Sequence, residues 1–199
     1  FPMLKKLKWR NTELEYNDID SLINSLDLIA SDYYLERSQD GSDVNILKFI
    51  KSNNFEFLKD LKRDDVQLLW KVCQIPDFRK ISNHDHAGLI MKIFDFVRTK
   101  GVIPSEWLKM EIDRLDNIQG DIDVLSKRLS FIRTWSFVAN IKNWLLDSEY
   151  FIGITRDIED RLSDAMHLKL TQRFVDLRRS VLIKKGMSEN FDKKDFELR

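Results

Sequence analysis

Between Asp123 and Asp147 the chain carries no acidic residue, although over its full length 33 Lys and Arg balance 33 Asp and Glu. That interval holds Lys127, Arg128, Arg133 and Lys142, interleaved with Phe131, Trp135, Phe137 and Trp144. Cations neutralise phosphates and rings stack on bases, so this combination has the chemistry of a single-stranded nucleic-acid contact. Helical spacing divides the segment into two faces. At about 100° per residue, Ile122, Leu125, Leu129, Ile132 and Ser136 share one side, and Val124, Lys127, Arg128, Phe131, Trp135 and Val138 share the other. One apolar face satisfies one packing partner. The second is open either to RNA or to another helix, in which case the Lys and Arg stems would lie over apolar neighbours. The candidate nucleic-acid-binding residues are Lys127, Arg128, Phe131, Arg133 and Trp135.

Other reactive groups offer less. His84 and His86 flank Asp85, with Cys73 upstream, but residues two apart on a helix diverge by about 200° and no second ligand pair follows. No metal site is expected, and both histidines are placed in an exposed first helical turn. Cys73 sits beside Trp70 on an apolar face, which suits a buried thiol better than a nucleophile. Arg156 and Asp160, like Asp157 and Arg161, are spaced as i,i+4 pairs on a solvated helix. Lys169, Arg173, Arg178, Arg179, Lys184 and Lys185 face only Asp176 as local acid, and they scatter around their helix instead of lining one stripe. No G-x-x-x-x-G-K-[ST] loop occurs to cradle phosphates, so no catalytic residue is assigned and no ATP hydrolysis is expected of this chain.

Elements must position these groups, and composition says which kind. Among 199 residues there are only 6 Gly and 3 Pro, which disfavours turn-rich β architecture and favours long helices. Hydrophobic content of 43% with 33% charged residues describes a globular chain able to bury a core, as one large domain or two small ones. A single Cys excludes an internal disulfide and suits a reducing compartment. No apolar run approaches the roughly 18 residues that span a bilayer. The expected fold is all-α, a multi-helix bundle with a long C-terminal helix and no strand.

Along the chain, Asn17 is expected to cap a helix carrying Ile19, Leu22, Ile23 and Leu26, and Ser31 to Gly41 to form a loop. Ser42 caps a short helix, and another short one carries Phe55, Leu58 and Leu61. A helix opened by Asp64 carries Leu69, Trp70 and Cys73, and Pro76 ends it. Ser82 and Asp85 have capping-box spacing before an apolar run that Gly101 terminates. Pro104 begins the next helix, and Gly120 precedes the two-faced one. The last helix starts near Ser148 and is expected to stop at Gly186, leaving Met187 to Arg199 as a loose charged tail.

Three segments carry a resemblance: Phe131-Ile-Arg-Thr-Trp-Ser-Phe-Val-Ala-Asn140, Arg156-Asp-Ile-Glu-Asp-Arg-Leu-Ser-Asp-Ala165 and Leu170-Thr-Gln-Arg-Phe-Val-Asp176. They resemble the C-terminal region of bacterial relatives of the mitochondrial degradosome RNA helicase, a superfamily-two ATP-dependent helicase. Leu68-Leu-Trp-Lys-Val-Cys-Gln-Ile-Pro-Asp-Phe-Arg-Lys80 is similar to that family's segment before its next long helix. Phe1-Pro2 matches the point where the second motor domain hands over to helices. The resemblance is strongest from Gly120 to Val181 and weak between Tyr33 and Asn54.

It implies three parts: residues 1–118, packing toward absent motor domains; 119–186, the family's C-terminal helical part; and the tail, 187–199. It further implies an accessory domain of a cytoplasmic ATP-dependent helicase that holds single-stranded RNA and braces the RecA-like motor domains of the same chain. ATP and Mg would belong to the parent protein and not to this part, and no membrane contact is implied. An exoribonuclease is a further partner that the resemblance brings into view, although the tail and the poorly matched Tyr33–Asn54 stretch prevent any contact being carried over. The alternative reading is a helical protein-interaction scaffold without nucleic-acid contact, which suits the neutral net charge.

Overall fold

Short N-caps and apolar stripes build most of this fold, as seen in a computed structural model that describes residues 5–53 and 56–196, with side chains as far as 186 apart from that of Phe57. Phe1, Pro2 and Phe55, and the tail beyond Phe196, lie outside the described residues. Among the described residues, seven α-helices make an all-α bundle, including the expected long C-terminal helix. α1 (Ile19–Leu26) starts at Asp18, whose carboxylate accepts a hydrogen bond from the Ser21 N–H at 2.6 Å; the cap is thus one residue later than Asn17. α2 (Ser42–Ser52) is capped by Gly41, which has no side chain to contribute, and Ser42 is its first residue. A 3-10 turn, Glu56–Asp60, stands where a second short helix was expected. α3 (Arg63–Cys73) follows, starting one residue before Asp64.

α4 (Asn83–Lys100) is bounded as its sequence predicts. The Ser82 hydroxyl accepts from the Asp85 N–H at 3.2 Å, and Gly101 ends the helix at φ 78°. α5 (Ser105–Asp113) follows Pro104. α6 (Ile122–Ala139) is capped by Asp121, which accepts from the Val124 N–H at 2.8 Å. A tight connection with Asn143 at φ 68° leads into α7 (Ser148–Phe196), and α6 with α7 forms the most extensive helix–helix contact of the fold.

Two departures concern backbone. The chain does contain strands: β1 (Leu7–Trp9) pairs in parallel with β2 (Leu35–Arg37), with Leu7 opposite Leu35 and Trp9 opposite Arg37. Three residues cannot display an alternating pattern, so nothing in the sequence marks them. The pair is anchored by ions. Lys8 reaches Glu36 at 2.8 Å, while Arg37 and Lys48 both engage Asp27 and Asp40 and draw α1, β2 and α2 together. The hydrogen bond from Lys48, with Arg37 beside it, holds the Asp40 carboxyl below the usual carboxylate range.

The second departure is at Gly186, which does not stop α7; the helix continues to Phe196, so that much of the tail is helical. Glycine weakens a helix interior by roughly 1 kcal/mol against alanine, but it terminates a helix only when it turns left-handed, and Gly186 does not.

One apolar core runs from Ile19 to Leu162, so the parts on either side of residue 118 share it. From His167 to Gly186 every residue of α7 is exposed. No described helix is long and apolar enough to cross a membrane.

Candidate nucleic-acid interface

Gly120 sets the entry to α6. Its φ of +130° is one that side chains avoid, and a Cβ there would meet Val124 Cγ1 at 2.8 Å. The loop it closes occupies Arg128, whose Nη1 donates to the Asn117 carbonyl at 2.7 Å and to that of Gln119. One turn and a half along α6, the Arg133 Nε donates to Glu159 of α7 at 2.9 Å. Both guanidinium groups therefore bind their own chain. Lys127 is exposed and makes no hydrogen bond or ion pair among the described residues, and the same holds for Lys142.

The rings divide similarly. Phe131 is half-buried, and the Arg79 guanidinium lies 3.9 Å from its centroid. Arg79 is almost enclosed: its Nε is 3.7 Å from Asp77, while Nη2 has no hydrogen-bond partner. Burial lowers the pKa of that guanidinium, against the attraction of Asp77 and Asp85. Trp135 is 1% exposed and belongs to the core, so α6 uses both its faces for packing. The stripe of Lys127, Arg128, Phe131, Arg133 and Trp135 thus offers one unpaired cation and no free stacking ring.

What Trp135 does is prop another ring. It packs edge-on against Trp107 of α5, with centroids 5.6 Å apart, and Trp107 lies 5.0 Å from Phe96 of α4. Trp107 and Phe96 are half-buried, with solvent-facing portions. Above them, the exposed Lys92 Nζ sits 5.1 Å from the Trp107 ring centroid and Lys100 Nζ sits 5.4 Å from that of Phe96. The combination of cations and rings sought on α6 is therefore displayed by α4 and α5. Sequence reading missed it, although a signal exists. Lys92, Phe96 and Lys100 recur every four residues, which places them along one helical ridge. What no spacing reveals is that Trp107, on another helix, joins them.

The reactive groups elsewhere are quiet. His86 is buried rather than exposed: α4 turns it inward against Ile75, and its Nδ1 finds no partner. Burial lowers its pKa below the ordinary 6.5, opposed by Asp77 and by a hydrogen bond to the Ile75 backbone. His86 also lines a cleft of about 460 Å³ with Ser42, Asn45, Lys48, Asp77 and Asn83. Burial raises the Cys73 thiol pKa far above its usual value, so the sulfur stays protonated. No three His, Cys, Asp or Glu side chains among the described residues converge to hold a metal ion. The i,i+4 pairs of α7 do not form either: Arg161 reaches Asp116 in the α5–α6 loop at 2.7 Å, and Arg156 has no ion-pair partner among the described residues. Compared with protein-family models, with curated proteins and with solved structures, the chain matches none.

Proposed function

We propose that this chain is an accessory helical domain of a superfamily-two RNA helicase, and that it holds single-stranded RNA beside the motor domains. The observation that carries this reading is the ridge of Lys92, Phe96 and Lys100 backed by Trp107, where two unpaired cations lie over half-exposed rings. Phosphates would take the lysines, and a displaced ammonium would uncover a ring for a base. Stacking on such rings is worth about 1–3 kcal/mol per base and tolerates any sequence, as a translocating motor requires. The resemblance of Phe131–Asn140 and Arg156–Ala165 to the helicase C-terminal region supports the same reading, because those segments form the α6–α7 spine that carries Trp135 beneath the ridge. In the parent enzyme, ATP and Mg would be handled by the motor domains, and this domain's work would be mechanical.

One observation favours a second reading, that of a scaffold. Arg128 and Arg133 are satisfied by the Asn117 and Gln119 carbonyls and by Glu159, which is how structural arginines behave. A salt titration with a labelled single-stranded oligonucleotide separates the two. Lys92→Ala with Lys100→Ala is expected to flatten the slope of log K against log salt by about 1.4, at ~0.7 per phosphate. Trp107→Phe is expected to keep most of the affinity and Trp107→Ala to lose it, with melting temperatures measured alongside. If the lysine pair leaves both slope and affinity unchanged, the strand contact is abandoned and the scaffold reading stands.

A further inference from the structure

Beyond Met166, α7 leaves the bundle and runs about 30 Å to Gly186 at 1.5 Å per residue, with every side chain exposed. A helix in water has no reason to carry large apolar residues there, yet Phe174 is 65% exposed, Leu177 58% and Val181 61%. Leu170, Phe174, Leu177 and Val181 follow a four-three-four spacing, which is the seam of a left-handed helix pair. At about 100° per residue the seam lies roughly a quarter turn around α7 from Leu162, which faces the bundle, so it is a separate face and it is exposed along its length.

The residues beside the seam say what covers it. Taking Phe174 and Leu177 as the two seam positions of a heptad, the flanking charged positions are Arg173, Arg178 and Lys185, and all are cations. The only acid between 168 and 186, Asp176, lies off the seam. A second copy in parallel register would set Arg173 against Arg178 of its partner, and an antiparallel copy would again oppose cations, so self-pairing is disfavoured by like charge. Nucleic acid would be met by the charges but would leave Phe174, Leu177 and Val181 in water. We infer that the outer half of α7 is a docking surface for an acidic amphipathic helix, one whose apolar seam is flanked by Glu or Asp. This surface shares no residue with the Lys92–Trp107 ridge and stands whether or not that ridge binds RNA.

The probe is a synthetic peptide of about three heptads with Leu at the seam and Glu at the flanks, beside a twin with Lys at the flanks. With the full chain, the acidic peptide is expected to bind at least about tenfold more tightly than its twin, and more weakly as salt rises. Phe174→Ser with Leu177→Ser removes binding while the melting temperature of the bundle holds. Arg173→Glu with Arg178→Glu reverses the preference, making the lysine peptide the tighter ligand. The inference is overturned if the acidic peptide does not bind or if the charge-reversed chain keeps the original preference. It is overturned equally if sedimentation shows the chain alone dimerising through Phe174 and Leu177. Loss of RNA binding in the Arg173/Arg178 variant, with the Phe174/Leu177 variant unaffected and no peptide bound, would assign the surface to nucleic acid instead.

Discussion

Trp135 and His86 show how much a single side chain's setting decides. Trp135 has the residue type and neighbours of a stacking ring, but it is buried against Trp107. Trp135→Ala is expected to cost about 3–5 kcal/mol of stability, the range for emptying a large aromatic site, and to weaken any RNA contact only through Trp107. Thermal denaturation reads the first effect, and a variant that melts like the parent would contradict this placement. His86 supplies a pH dependence. Its folded pKa lies below 6.5, so the unfolded chain takes up a proton where the folded one does not. Its contribution is present above the unfolded pKa and is lost as pH falls from about 7 toward the folded value, flattening below it. Denaturant midpoints measured across that range should decline, and His86→Gln should reduce the decline.

At the scale of elements, caps and glycines separate where a helix must turn from where it merely tolerates a weak residue. Gly120 needs its left-handed φ and the space that Val124 leaves; Gly186 lies inside α7 with open space around it. Gly120→Ala is therefore expected to destabilise the chain by about 1 kcal/mol or more. Gly186→Ala should leave the melting of the bundle unchanged and raise helical circular dichroism, since alanine is favoured there by about 1 kcal/mol. Equal losses from both would mean that Gly186 turns the chain after all.

For the molecule as a whole, the core ends where α7 loses its partners. The buried apolar set closes at Leu162, and Ala165 and Met166 pack at its edge. A chain ending at Met166 is expected to melt cooperatively within a few degrees of the full chain, because residues 167–186, which it removes, are exposed. It should also lose the acidic peptide completely while retaining the salt-dependent behaviour of the Lys92–Trp107 ridge. A truncated chain that fails to fold would show that the outer helix contributes to the bundle.

Helix type and most helix boundaries were legible because their causes are local. Ser82 and Gly101 act within a turn of where they stand, and apolar spacing in α3 and α4 reports which residues face inward. The absence of a phosphate-cradling loop is likewise a property of order along the chain. The β1–β2 pairing was not legible, because it joins two three-residue segments by long-range hydrogen bonds that neither signals alone. The site divided on the same line. Sequence placed cations beside rings on α6, but whether a face meets water or another helix depends on what the remaining chain brings against it. Tertiary packing turned Trp135 inward, gave Arg128 and Arg133 partners from the α5–α6 loop and α7, and set Trp107 beside Lys92, Phe96 and Lys100. Composition and spacing state what a side chain can do; burial, which is a sum over distant neighbours, decides which of them remain free to do it.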